Sequence, residues 1–380
     1  MMKIIKKLNI ILLFCSLIFF TACQNTAPEQ DIINNSNYMQ LDYAEQFSVL
    51  YHSDGCAEIS ITDGNCYLLV PEGVEIPEHD ANQIILQQPL ENIYLAASSA
   101  MDLFVSLDSL ETIALTSTKD WSIPSVQNAL DSGRLQYAGK YSTPDYELLL
   151  SENSKLAIES TMIYHSPDVK EQIQQLGIPV FVERSSYESH PLGRMEWIKL
   201  YGLLLGKSEQ AENFFAEKEK LFQEITNSVA EDSNQEKKTV AFFYISPNGY
   251  VNIRKPNDYI SNMIELAGGE YIFTEENLDL EKNNLSTMNI QTEAFYEIAK
   301  NADIFIYNSL IDNELQSIDE LLEKSSILAD CKAVQNGNVW CAGQNLFQQS
   351  TNAFEMIADF YAVLHEDNNT NQIYFMHKLN

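Results

Sequence analysis

Basic side chains are scarce in this chain. Its 380 residues carry 23 Lys and Arg against 54 Asp and Glu, a formal net charge of −31. Nucleic acids and anionic lipid surfaces are bound through clustered positive charge, so this balance excludes both as partners of the folded surface. Histidine is also scarce and scattered, at His52, His79, His165, His190, His365 and His377. A cleft that chelates bare zinc or manganese gathers several imidazoles with a carboxylate, and this distribution disfavours one. No GxSxG, HExxH, CxxC or Gly-rich phosphate loop occurs. The marks of a hydrolase, a zinc site or a nucleotide enzyme are therefore missing, and no catalytic residue or catalytic cofactor is assigned.

Long apolar runs are absent except at the start. "LNIILLFCSLIFF" (8–20) follows Lys3, Lys6 and Lys7 and precedes "FTAC". The run falls short of the roughly 20 residues of a membrane span and fits the apolar part of an export signal. Small residues before Cys23, then the polar "QNTAPEQDIINNSN", resemble a bacterial lipobox. The implied segments are a signal peptide (1–22), removed on export, and a flexible tether (23–45) lipidated at Cys23. The protein would then lie outside the cytoplasm, lipid-anchored to the bacterial cell membrane. Six cysteines occur in all. Cys15 leaves with the signal, and Cys56/Cys66 and Cys331/Cys341 remain as two pairs, each ten positions apart. Export permits disulfides, but spacing does not decide between two local bridges and free buried thiols.

What remains is long enough for two domains. Residues 46–90 form a small β-rich section. "FSVLYHS", "AEISIT" and "CYLLV" are separated by Asp-Gly turns, which favour hairpins. From 91 to 190, short runs rich in Ile, Val and Leu alternate with helical stretches. The runs are "NIYLA", "TIALTS", "KLAIES" and "IPVFVE", and the helices fall at 99–107, 144–152 and 167–176. Residues 191–230 break that rhythm and are almost purely helical. "MEWIKLYGLLL" is apolar on nearly every side and reads as buried. Phe214, Phe215, Leu221, Phe222 and Ile225 then form a stripe at helical spacing. Strand–helix alternation returns over 238–366, ending in a helix at 347–364, and 367–380 is a tail. The fold class is α/β, with two doubly wound, Rossmann-like lobes joined by a long backbone helix and preceded by a small β addition.

This grammar resembles the solute-binding proteins of ABC importers, in the rigid-helix group that serves siderophores, haem and cobalamin. The words that carry the likeness are "NALDSGRLQYAGKYSTPDYELLLSENSKLAIES", "PNDYISNMIELAGGEYIF" and "MNIQTEAFYEIAKNADIFIYNS". The resemblance covers about 90–365 and implies a monomeric binding protein, not an enzyme. Its cargo would be an iron chelate, haem or a corrinoid. Its partners would be a permease and, through it, an ATPase. Another metal or small-molecule solute is the alternative, and a surface-anchored hydrolase a lesser one. The resemblance further implies permease docking through one acid per lobe, at Glu147 and Glu293, each in the first turn of a helix.

In open α/β sheets, ligands sit beyond the carboxyl ends of the strands. In the first lobe those ends are followed by Ser98, Ser99, Met101, Trp121, Met162, Tyr164, His165, Arg184, Ser186 and Tyr187. In the second they are followed by Asn248, Tyr250, Arg254, Tyr307, Asn308, Trp340 and Gln344. Aromatic rings and Met suit a large planar or macrocyclic ligand, and Arg suits its anionic groups. Tyr164 or His165 is a candidate axial ligand to the metal of such a cargo. The densest charged stretch, "RSSYESHPLGRMEWIKLYG" (184–202), divides in two. Arg184 to His190 faces the ligand, whereas Arg194 and Glu196 lie in a buried helix and pair with neighbours.

Overall fold

The computed structural model describes residues 37–231, 236–280, 285–309, 312–365 and 373–380. The signal segment, Cys23 and the tether up to residue 36 lie outside the described residues. The chain from Tyr38 onward forms one compact unit. Among the described residues, no helix is long and apolar enough to cross a membrane.

The β-rich section is a four-stranded sheet of β1 (Phe47–Tyr51), β2 (Ala57–Ile61), β3 (Cys66–Val70) and β4 (Ile84–Gln87). The first three strands are antiparallel through the two Asp-Gly turns, and β4 runs parallel to β3. Its thiols Cys56 and Cys66 are free, as are Cys331 and Cys341 in the second lobe.

The first lobe then alternates β5 (Ile93–Leu95), α1 (Met101–Ser106), β6 (Ile113–Thr116), α2 (Pro124–Asp131), β7 (Gln136–Tyr137), a short hairpin of β8 (Gly139–Lys140) and β9 (Thr143–Pro144), α3 (Tyr146–Ser151), β10 (Ala157–Ser160), α4 (Pro167–Gln175) and β11 (Val180–Glu183). Its sheet is parallel, in the order β11-β10-β5-β6-β7. From β5 the chain winds one way through β6 and β7 and then crosses back to β10 on the other side of β5, and that reversal opens a crevice at the strand ends.

Two helices follow, α5 (Pro191–Leu204) and α6 (Ser208–Glu231). Of the 14 residues of α5, only Leu203 is not buried. Fully burying Trp197, Ile198, Leu200 and Tyr201 contributes on the order of 1.5–3 kcal/mol each. Helix α6 runs for 24 residues and buries Ala211, Phe215 and Phe222 in the same core, while Val229 near its end lies beside Gly268 of the second lobe. The close approach of the two helices requires Gly202, where a Cβ would collide with that of Ala211.

The second lobe contains β12 (Thr239–Ile245), β13 (Val251–Arg254), α7 (Tyr259–Leu266), β14 (Glu270–Tyr271), β15 (Thr287–Ile290), α8 (Thr292–Ala299), β16 (Ile304–Asn308), α9 (Ile318–Lys324), α10 (Lys332–Gln335), β17 (Val339–Ala342), α11 (Asn345–Gln348), α12 (Ala353–His365) and β18 (Met376–Lys378). Strands β12, β16 and β17 are parallel, and β13 and β18 are antiparallel to their neighbours. The tail thus supplies an edge strand. The long last helix read over 347–364 is instead broken at Gln349–Asn352, because these residues reach across to the first lobe. Ser350 donates to the Ser99 carbonyl (3.2 Å), and Thr351 donates through its amide (2.9 Å) and hydroxyl (2.6 Å) to Asp102.

Composition places residues 38–45 in the tether, but the structure fixes them. The amides of Asp42, Tyr43 and Ala44 donate to Glu196 at 3.0, 2.8 and 2.8 Å. Those of Glu45 and Gln46 donate to Glu188 at 2.8 and 3.0 Å. Glu188 also accepts from the Trp197 indole (2.7 Å), and Glu196 pairs with Lys199 (2.9 Å). Gly193 makes the close approach possible, since a Cβ there would lie 2.8 Å from the Tyr43 carbonyl oxygen.

Two predictions follow from these buried charges. Glu196→Ala strands three amides and leaves the buried Lys199 with only the Gln40 carbonyl and the half-exposed Glu212, and should cost on the order of 3–5 kcal/mol in a denaturant titration. A loss below about 1 kcal/mol would contradict the anchoring role. The second concerns Glu159, fully buried in β10 with no hydrogen-bond partner for either oxygen among the described residues. Burial raises its carboxyl from 4.5 to about 8. Between those values the folded state holds a proton that the unfolded chain has released, so stability falls as pH rises through that window. Glu159→Gln should flatten the decline and be the more stable protein at pH 7, by on the order of 3 kcal/mol. Parallel curves of melting temperature against pH for the two proteins would refute this.

Candidate ligand-binding site

Strands β10 and β11 end side by side, and each runs into a tight 3-10 turn, Thr161–His165 and Ser185–Tyr187. The Ser160 hydroxyl caps the first by accepting from the Met162 amide (3.3 Å). Beyond the two turns lies a cavity of about 690 Å³. Thr161, Met162, Tyr164, His165, Lys170, Arg184 and Tyr187 line it from the first lobe, and Leu285 from the second. Its remaining wall is Thr62, Asp63 and Asn65, from the β2–β3 turn of the small sheet.

The polar groups of this cavity fall into two bonded sets, one around Tyr164 and one around Arg184. The Tyr164 hydroxyl donates to Asp63 and accepts from the Asn65 side-chain amide (3.2 Å). Burial, then the Asp63 carboxylate, push the Tyr164 phenol well above its ordinary range, so it is a neutral donor at physiological pH. Arg184 donates through Nε to the Gln46 side-chain oxygen (3.1 Å) and stacks on Tyr187, its guanidinium carbon 4.6 Å from the ring centroid. Thr161 donates to the Tyr187 hydroxyl (3.3 Å). Lys170 Nζ lies 5.6 Å from the Tyr164 ring centroid. The site thus combines cationic groups, aromatic faces and an exposed Met162.

A second cavity of about 220 Å³ adjoins the first, sharing Tyr187 and Leu285. It lies between Glu188 and Ser189 of the first lobe and Lys255–Asp258 of the second. Three further contacts hold the lobes together nearby. Gln348 accepts from the Ser122 amide (2.7 Å) and donates to the Asp120 carbonyl (3.1 Å), and Asn262 donates to the Ser189 carbonyl (2.7 Å).

The strand-end residues fare differently. Met162, Tyr164, His165, Arg184 and Tyr187 come together around the larger cavity. Ser186 sits between Arg184 and Tyr187 in the turn, half-buried. Ser98 and Ser99 open the 3-10 turn before α1, and Ser99 donates to Glu183 (2.8 Å). The others do not line the cavity. Met101 and Tyr307 are fully buried in the core. Trp121 is buried and donates to the Thr118 carbonyl (3.2 Å). Arg254 is buried and pairs with Asp258 (3.5 Å). Asn248 and Tyr250 occupy the exposed β12–β13 turn, and Asn308 is buried at the end of β16. Trp340 lies in β17 beneath Lys378, and the Gln344 amide donates to Glu314 (3.2 Å). Sequence reasoning missed Gln46, Thr62, Asp63, Asn65 and Lys170. A turn signal such as "TDGN" carries no information about which distant tyrosine it meets.

Within 184–202 the boundary falls earlier than the sequence suggests, because Glu188 and His190, expected on the ligand side, serve the anchor instead. Arg184 and Tyr187 face the cavity. His190 accepts from the Leu192 amide (3.1 Å) and stacks on Tyr43 (4.9 Å between centroids), and burial lowers its pKa. Arg194 donates to the Phe347 carbonyl (3.1 Å) and lies over the Tyr259 ring (4.6 Å). Glu147 and Glu293 are exposed in the first turns of α3 and α8.

The family model described as periplasmic binding protein matches residues 96–346. An uncharacterized lipoprotein of Methanocaldococcus jannaschii is 21% identical, over 95% of this chain and 94% of its own. A periplasmic heme binding protein from Pseudomonas aeruginosa superposes with a TM-score of 0.63 at 15% identity, over 77% of this chain and 98% of its own. An ABC transporter substrate-binding protein from Listeria monocytogenes EGD-e does so with a TM-score of 0.55 at 18% identity, over 72% of this chain and 98% of its own. At such identities the solved structures speak for the fold alone, while the family model spans well over half of the chain, and the chain accordingly belongs to the periplasmic binding protein family.

Proposed function

We propose that this protein is an extracytoplasmic solute-binding lipoprotein. It takes up an iron chelate, haem or a corrinoid in the inter-lobe cleft and passes it to the permease of an ABC importer. The observation that carries the reading is the cavity beyond β10 and β11, where Arg184 and Lys170 stand beside Tyr164, Tyr187 and Met162. Aromatic faces and a thioether suit a large conjugated or macrocyclic body, and the two cations suit its carboxylates or phenolates. A solved relative described as heme binding supports the cargo class. Lipidation at Cys23 would keep the protein near its transporter and raise its effective concentration there.

Delivery rests on Glu147 and Glu293. Both are exposed acids in first helical turns, where they also complement the helix dipole by roughly 0.3–1 kcal/mol. The permease would meet them with basic residues, one from each half.

The cargo is tested by purifying the protein from cells grown in rich medium and recording its absorption spectrum. A Soret band, a corrinoid band or a ferric charge-transfer band is expected, and a colourless protein that none of these cargoes can load would refute the reading. Arg184→Ala should weaken cargo binding about tenfold, near 1.4 kcal/mol. Reversing both docking acids, Glu147→Lys with Glu293→Lys, should abolish uptake by whole cells while the cargo dissociation constant stays within about twofold. Normal uptake by the double variant would remove these acids from the docking role.

A further inference from the structure

The small sheet β1–β4 stands outside the two-lobe frame and is not covered by the family model, which begins at residue 96. Its place against the site is nevertheless built in detail. The β2–β3 turn is stiffened from within, because Asp63 accepts from both the backbone amide (3.0 Å) and the side-chain amide (2.9 Å) of Asn65. Thr62 is tied to Gln46 twice, by its amide to the Gln46 carbonyl (3.1 Å) and by its hydroxyl to the Gln46 side-chain oxygen (2.8 Å). Gln46 is itself held by Glu188 through its own amide (3.0 Å).

This fixed edge then grips two residues that line the cavity. Asp63 and Asn65 hold the Tyr164 hydroxyl from both sides, although the residue is 43% exposed and its ring would otherwise be free to rotate. Gln46 holds Arg184 through Nε. The terminal guanidinium nitrogens of Arg184 make no hydrogen bond among the described residues, so a two-pronged donor is left for a bound anion.

We propose that the β2–β3 turn together with Gln46 is the specificity-determining wall of the cargo site. It holds Tyr164 and Arg184 in the pose that selects a chelate bearing paired anionic oxygens beside an aromatic or conjugated face. The proposal rests on the cargo-binding reading above. Asp63 and Gln46 act as positioning residues, through Tyr164 and Arg184. Preorganisation of this kind raises affinity for the matching ligand by removing the cost of ordering the side chains on binding, and leaves poorly matched ligands nearly unaffected.

The test is a binding panel on the full-length chain and its variants. It uses a ferric tris-catecholate, a ferric trihydroxamate, haemin and cyanocobalamin, with tryptophan quenching as the readout. Gln46→Ala and Asp63→Ala should each weaken the best-bound member about tenfold, change the others less than about threefold, and lower the melting temperature by no more than about 4 °C. Gln46→Glu keeps an acceptor oxygen for Thr62 but sets a carboxylate against Arg184, so it should hold the turn in place while weakening the anionic members of the panel. A uniform loss across the panel with a larger fall in melting temperature would make the sheet a structural support and overturn the proposal, as would unchanged affinities in both alanine variants. A parent chain that binds no member would remove the cargo reading and this inference with it. A parent chain that binds, with variants that do not discriminate, would remove this inference alone.

Discussion

A helix buried on every side cannot carry charge without importing partners for it. Helix α5 carries Arg194, Glu196 and Lys199 in its interior, with Glu188 just before it, and all four are buried. An isolated buried charge is costly enough that each must find a partner. Beside the Glu196–Lys199 pair within the helix, partners come from two other parts of the chain. Arg194 draws in the Phe347 carbonyl from the second lobe, and Glu196 and Lys199 draw in residues 40–44. Glu188 holds residues 45 and 46 and, through them, the start of the small sheet. The orientation of the lobe-joining helix, the seat of the second lobe and the position of β1–β4 therefore express one electrostatic requirement.

The cleft inherits its shape from this arrangement. The first lobe contributes the strand-end turns, the small sheet contributes the facing wall, and the stretch Gln348–Thr351 ties the lobes together through Ser122, Ser99 and Asp102. Those ties are polar, several and short in range. A ligand that enters meets walls already set, so its affinity depends on fit to them.

Much of the frame was legible in the sequence. Parallel strands buried on both faces appear as short Val, Ile and Leu runs, and "NIYLA", "KLAIES" and "IPVFVE" coincide with β5, β10 and β11 because nothing else satisfies such runs. The all-round apolar "MEWIKLYGLLL" was equally plain as a buried helix. Strand β18 and the break at Gln349–Asn352 were not legible. Their causes are contacts across the fold, with β17 and with Ser99 and Asp102, and local periodicity carries no trace of them. The candidate site divides on the same line. Met162, Tyr164, His165, Arg184 and Tyr187 follow from the rule that ligands gather at strand ends. Met101, Trp121 and Tyr307 obey the same rule in sequence but are taken up by the core, because a strand end supplies both packing and cleft residues. Asp63 and Asn65 reach Tyr164 across about a hundred positions, which no spacing argument anticipates.

The anchor at residues 42–46 has one further property. Glu188 and Glu196 bind five consecutive main-chain amides and no side chain of that segment. Every residue but proline offers the same donor. The main-chain part of the attachment is therefore indifferent to the composition of the strap, while Tyr43, against His190 and Glu219, and Gln46, against Thr62 and Arg184, add side-chain contacts of their own. Side chains of this strap other than Tyr43 and Gln46 can therefore change without loosening the joint, so long as the two acids and the tight approach at Gly193 persist.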